Sequence, residues 1–395
     1  MSKNSDLKEL RKSLFYEIEN IKEEIFYIND YIAENPELGY REYKAASLLT
    51  EKLSQHGFKI ENNLSGIDTA FRASYNFNED GPTIAFLCEY DALPEIGHGC
   101  GHNMIAAMSA GAGITLSKLD IKAGRVEVIG CPAEETGGAK VQMTEAGVFD
   151  SVDCALLLHP SNINQVYSTT LAIKAIQFNF HGQTAHAAGA PEKGINALDG
   201  VIQFFNGINA LREHLRDDAR IHGIITNGGK AANIVPDESE AQFYFRARDK
   251  KYLQEIIKKA ENTAKGAALM TGCRVEWKEY ENANDDLKPN RVLADIFEQS
   301  MKEIGINEIE PAANHSGSSD MGNVSHVMPV IHPYINLDSE LAGHTRELAE
   351  KTTTKEGHAV LIDGIKALAL TGLKIYGDRQ KLEKIKKEFK KTYSN

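Results

Sequence analysis

The chain lacks an apolar run long enough to cross a bilayer, which takes about 18 residues, so no membrane-spanning helix is expected. Its opening, MSKNSDLKELRKSLFYEIENIKEEIF, has no apolar core of the secretory kind, and no leader is expected. Cysteine is sparse. Cys88, Cys100, Cys131, Cys154 and Cys273 form an odd set with no secretory context, which argues against a disulfide framework and for reduced thiols in a cytoplasm. Positive charge is also short. Forty-four Lys and Arg face 56 Asp and Glu, leaving a net charge of −12, and such a chain is a poor partner for nucleic acid. The one basic stretch, KLEKIKKEFKK, has helical spacing and reads as a solvated helix face. No internal repeat or low-complexity tract is found.

What is present is ordinary for a soluble globular protein, with 42% hydrophobic and 25% charged residues. A length of 395 residues suits two domains, or one with an insertion. Apolar positions at helical spacing predict one long amphipathic helix over 5–34. Thr83–Leu87 is an apolar strand, followed at its C-terminal end by CEYDALPEIGHGCGHN. Arg125–Gly130 is a second strand, followed by CPAEETGGAKVQM, and Val152–Leu158 a third, ending in His159-Pro160. Ligands gather at such strand ends in α/β folds. The expected fold is therefore α/β, a mixed sheet flanked by helices, over 1–170 and 286–395. Between them, 171–285 reads as strand, helix, strand, strand, helix, a small inserted α+β domain.

The polar clusters carry the chemistry. Cys100 and His102 alternate around Gly101 and are ligand types for zinc and similar ions. Alone, this triplet reads more simply as a buried cysteine beside a helix-capping histidine. Glu134 and Glu135 are adjacent carboxylates before Gly-Gly. They are either solvated, or split between holding a metal and taking a proton from the attacking water. His159 and the glycine-flanked His344 complete a set of five metal-ligand types: Cys100, His102, Glu135, His159 and His344. Five ligands fit two ions better than one. Asp91 is placed to orient a ligand histidine.

The ordered motifs ENPELGYREYKAA, CEYDALPEIGHGCGHN, PAEETGGAK, LLLHP, HGQTAHAAGAPEKGINAL, NGGKAANIVPD, FRARD, SSDMGNVS and GHTRE span nearly the whole chain. They resemble the aminoacylase and glutamate-carboxypeptidase family of two-metal amidohydrolases. The branch is the cysteine-ligand one, with aminobenzoyl-glutamate hydrolase, indole-acetyl-amino-acid hydrolase and β-alanyl dipeptidase. The resemblance implies hydrolysis of an amide bond in N-acyl or N-aminoacyl amino acids, dipeptides included, by a metal-activated water. It implies Cys100 bridging two ions, zinc or manganese with cobalt able to substitute, and Glu134 as general base. It implies a homodimer through a lid and dimerisation domain. His186 would reach across that dimer to the oxyanion, with Asn233 and Arg246 holding substrate. Where much of that family has His-x-Asp, this chain has Glu89-Tyr90-Asp91, so one customary histidine is missing. Two alternatives stand beside this reading: an aminobenzoyl-glutamate hydrolase subunit needing a related chain, and a catalytically silent scaffold.

Overall fold

The computed structural model describes residues 3–314 and 317–393. The chain folds as two compact units. Among the described residues, 3–169, 287–314 and 323–393 form the first, and 170–286 with 317–322 the second.

The first unit is built on a six-stranded mixed sheet. Its strand order is Lys59–Asn62, Phe71–Asn76, Ala123–Gly130, Glu79–Cys88, Cys154–Leu156 and Val330–Ile331. The first two pairings are antiparallel and the remaining three parallel. The central strand buries Ile84 through Cys88 completely, as an apolar run covered on both faces should. The long helix Lys3–Glu34 buries Leu14, Ile18, Ile21, Ile25, Ile28 and Ile32, the stripe its spacing predicts. Helix His102–Ser117 has no exposed face at all. Its alanines and glycines let it pack closely against Lys3–Glu34 and Lys355–Tyr376.

The second unit is a four-stranded antiparallel sheet in the order Arg274–Glu279, Ala172–His181, Glu238–Ala247, Arg220–Asn227. Helices Ala197–Arg212 and Lys250–Thr271 pack on it, giving a βαββαβ arrangement. Phe178, Phe180, Phe204, Phe243 and Phe245 fill its core.

Several elements differ from expectation. The strands Lys59–Asn62, at the sheet edge, and Phe71–Asn76, next to it, are not expected from the sequence; the outer one is short, polar and largely exposed. The expected strand over 152–158 narrows to Cys154–Leu156. The first helix of the inserted unit starts at Ala197, where the Asn196 side chain accepts from the Leu198 and Asp199 amides. Arg274–Glu279 adds a final strand to the second unit. Among the described residues, no helix is long and apolar enough to cross a membrane.

Candidate metal centre

The polar clusters of the first unit leave the C-terminal ends of its parallel strands. Glu89 and Asp91 follow Glu79–Cys88, Glu134 and Glu135 follow Ala123–Gly130, and His159 follows Cys154–Leu156. Cys100 and His102 arrive on the loop that opens the buried helix. Gly101 makes that entry possible. Its φ is +77°, and a Cβ there would lie 2.5 Å from the Pro160 ring. Only glycine brings this loop so close to His159-Pro160. His344 reaches the cluster from a later loop and is anchored by its own amide, which donates to the Gly99 carbonyl at 2.9 Å.

The donors converge in three overlapping groups: Cys100, His102 and His159; Cys100, Glu135 and His344; His102, Glu134 and Glu135. Within each, one ligand atom per residue lies within 4.8 Å of the others. Cys100 belongs to two groups, and its Sγ is 3.8 Å from His159 Nε2. His344 Nε2 lies 3.6 Å from Glu135 Oε1.

Hydrogen bonds set the histidine tautomers. His102 Nδ1 donates to Asp91 Oδ1 at 2.9 Å, and His159 Nδ1 to the Pro160 carbonyl at 2.5 Å. Both rings therefore turn Nε2 into the cluster, the usual orientation of a metal-binding histidine with a fixed outer partner. Asp91 is used twice, because its Oδ2 accepts from the Glu135 amide at 2.9 Å.

Charge follows burial. Burial pushes His159 down to about 4, so its imidazole is neutral and free to donate a lone pair. Burial pushes the Cys100 thiol up to about 12 in the absence of a cation, and a bound ion would reverse that. Burial opposes a charge on Asp91 as well, but His102 outweighs it and holds the carboxyl below its ordinary value.

Do these residues fit divalent ions? Two observations say they do. His102 Nε2 and Glu135 Oε1 are buried and make no hydrogen bond, an arrangement that costs stability unless something else satisfies them. The donor set of thiolate, imidazole and carboxylate suits zinc-like ions.

Other groups come to the site unannounced. Glu89, at the place of the missing histidine, is buried with Lys140, whose Nζ sits 2.7 Å from Glu89 Oε1. Burial opposes a charge on Glu89, but Lys140 and then His102 outweigh it and lower its pKa. His332 is buried with its ring centroid 5.6 Å from that of His159. A signal for it existed: PVIHP repeats the apolar-run-then-His-Pro pattern of LLLHP. Lys140, inside GGAKVQM, carried no such mark.

The remaining site candidates lie in the second unit. His186 pairs with Ile234 in an isolated bridge, and the neighbouring Ala187 amide donates to the Asn233 carbonyl, so His186 and Asn233 come together there. Arg246 is half-buried and donates to Ser318 Oγ at 3.2 Å.

Comparison with known proteins places the chain in a family. Residues 171–269 match the family model described as a peptidase dimerisation domain. The mouse Xaa-Arg dipeptidase is 36% identical across 98% of this chain and 94% of its own. One of the two subunits of the Escherichia coli p-aminobenzoyl-glutamate hydrolase is 37% identical across 71% of this chain and 62% of its own. A Bacillus subtilis dinuclear metal-binding peptidase of the M20 family shares the fold, with a TM-score of 0.68 at 18% identity over 90% of this chain and 99% of that one. The class is a peptidase or amidohydrolase that works on amide bonds. Within that class, the chain belongs to the M20 amidohydrolase family.

Proposed function

We propose that this protein hydrolyses dipeptides and related N-acyl amino acids at a two-metal centre, acting as a homodimer in the cytoplasm. The observation that carries the reading is the donor cluster, with Glu134 beside two buried ligand atoms, His102 Nε2 and Glu135 Oε1, that make no hydrogen bond. Cys100, His102, Glu135, His159 and His344 would hold two ions, zinc or manganese, with cobalt able to substitute. When bound, these ions supply Lewis-acid polarisation of the scissile carbonyl and make water acidic enough to deprotonate near neutral pH.

The chain's own residues do the rest. Glu134 accepts the proton of the attacking water and returns it to the leaving amine. Asp91 holds His102 in the ligand tautomer. His186 from a second copy and Asn233 donate to the oxyanion, and Arg246 takes the substrate carboxylate in a two-point contact. These three roles rest on their motifs. The dimer is supported by the match to a dimerisation domain. The cytoplasmic assignment is supported by the cysteines, all five of which stay outside any disulfide.

Relatives over nearly the full length are named Xaa-Arg dipeptidases, which favours a dipeptide with a basic C-terminal residue. A second reading, an aminobenzoyl-glutamate hydrolase subunit, is favoured by the similarity to a chain of that enzyme. A panel of Xaa-Arg and Xaa-Lys dipeptides, β-alanyl dipeptides, N-acetyl amino acids and aminobenzoyl-glutamate separates the two. The dipeptide reading expects its highest kcat/KM on the basic dipeptides. Preference for aminobenzoyl-glutamate, or turnover only with a second related chain, would replace it with the hydrolase-subunit reading.

A further inference from the structure

The motif ENPELGYREYKAA has no part in the chemistry described so far, yet it runs directly behind the carboxylate loop. Glu42 is the focus. It stands at the N-cap position of helix Tyr43–Gln55 but makes no side-chain cap bond there. Glu37 does that work, its Oε2 accepting from the Lys44 and Ala45 amides at 2.8 and 3.1 Å. The Glu42 carboxylate is thereby released and turns inward, where it is fully buried. Its Oε1 accepts from the Ala133 amide at 2.8 Å and its Oε2 from Thr69 Oγ1 at 2.9 Å.

Ala133 is an unusual place for such a bond. Its φ is +59°, in the left-handed region that side chains other than glycine rarely adopt. Its carbonyl accepts from both the Gly137 and Gly138 amides, closing a turn over 133–138. Two residues on, the Glu135 amide is held by Asp91. Glu134 thus lies between two amides, each fixed by a different buried carboxylate. The same segment touches the turn elsewhere. A Cβ on Gly39 would fall 2.0 Å from Thr136 Oγ1; beside the turn, the Glu37 carbonyl accepts from the amide of Ala92, the residue after Asp91, at 2.8 Å.

We propose that Glu42 is a positioning residue for Glu134: by holding the Ala133 amide it keeps a strained turn closed, and so fixes the direction in which the proton-accepting carboxylate points. This rests on the role given to Glu134 above. A residue acting in this way changes turnover more than substrate binding, because a small displacement of a catalytic group costs far more in rate than in affinity. It also acts through backbone strain, and strain can be removed independently. Glycine adopts φ near +60° without penalty, so Ala133→Gly should make the turn less dependent on its clamp.

The test uses the full chain with Glu42→Ala, Glu42→Gln, Ala133→Gly and the double variant Glu42→Ala/Ala133→Gly. Three quantities are read: kcat and KM on the best wild-type substrate, metal bound per chain, and amide exchange of a peptide spanning 131–138. Glu42→Ala should lower kcat by roughly ten- to a hundredfold, on the scale of a misplaced catalytic group. KM should move by much less, and exchange of the loop should accelerate. Glu42→Gln, which keeps an acceptor for the Ala133 amide, should lose far less. The double variant should regain kcat and loop protection relative to Glu42→Ala. Wild-type kcat and loop exchange in Glu42→Ala would overturn the proposal, as would a double variant no better than Glu42→Ala. If Glu42→Ala does not accumulate as folded protein, a Glu42→Gln loss as large as that expected for Glu42→Ala would overturn it, and its retention of kcat would uphold it. A wild type with neither metal nor turnover would sink the functional reading, while loop exchange would still decide whether Glu42 clamps the turn.

Discussion

Asp91→Ala is the most informative single substitution in the proposed metal centre. The carboxylate accepts two hydrogen bonds at 2.9 Å, one from His102 Nδ1 and one from the Glu135 amide. Asp91 and His102 are each only 1% exposed, so water cannot readily replace the lost partner. Its charge is retained at neutral pH, since His102 holds its pKa below the ordinary carboxylate value despite the opposing effect of burial. Hydrogen bonds to a charged group contribute about 1.5–3 kcal/mol each, so the metal-free protein should lose on the order of 3–6 kcal/mol. The effect on metal should be separate. Without Asp91 the His102 ring is free to rotate or change tautomer, and Glu135 loses its backbone anchor. Loss of such an outer partner lowers metal affinity about 10- to 100-fold. Competition against a chromogenic zinc chelator measures this directly. An Asp91→Ala protein that binds zinc as tightly as the wild type would refute the argument that Asp91 presents these ligands.

Three further outcomes are expected. Glu134→Gln should retain its bound metal and lose turnover by about 10²–10⁴, measured by metal analysis alongside steady-state kinetics, because only the proton acceptor has been removed. Lys140→Met leaves the buried Glu89 carboxylate without the ammonium now 2.7 Å away, and should destabilise the chain by about 3–5 kcal/mol in urea unfolding. Little change there would mean that the pair is not needed to hold Glu89. The third concerns pH. Burial raises Glu42 from an ordinary value of 4.5 to about 7, so the folded chain favours its protonated form. That contribution is fully present below pH 4.5 and is lost as pH rises through 7, a swing of about 3 kcal/mol. The urea midpoint of the wild type should therefore fall from pH 5 to pH 8 by more than that of Glu42→Gln, and parallel profiles would contradict the assignment.

Much of this architecture was legible in the residues. Long periodic helices and apolar runs bounded by turn signals declare themselves, as the stripe from Leu14 to Ile32 and the strand ending at Cys88 show. The cluster of Cys100, His102, Glu134, Glu135, His159 and His344 could be suspected because each sits just past an apolar strand or next to a glycine. What stayed hidden depends on distant partners. Lys140 reads as a surface lysine until Glu89 is found beside it. Glu42 reads as a helix cap until Glu37 is seen to have taken that role. The strand Lys59–Asn62 is exposed and polar, so pairing with its neighbour defines it and composition does not. Asp91 was easier, because a carboxylate near a ligand histidine has a recurring use.

The most direct test of the account is the metal content of the purified wild-type chain, counted per chain after exchange into metal-free buffer and again after loading with zinc or manganese. The account expects two ions per chain on loading, falling to fewer in Cys100→Ser, whose sulfur belongs to two of the three donor groups. A chain that takes up no ion under either metal, or one whose uptake ignores Cys100, would contradict the claim that these residues form a two-metal hydrolytic centre.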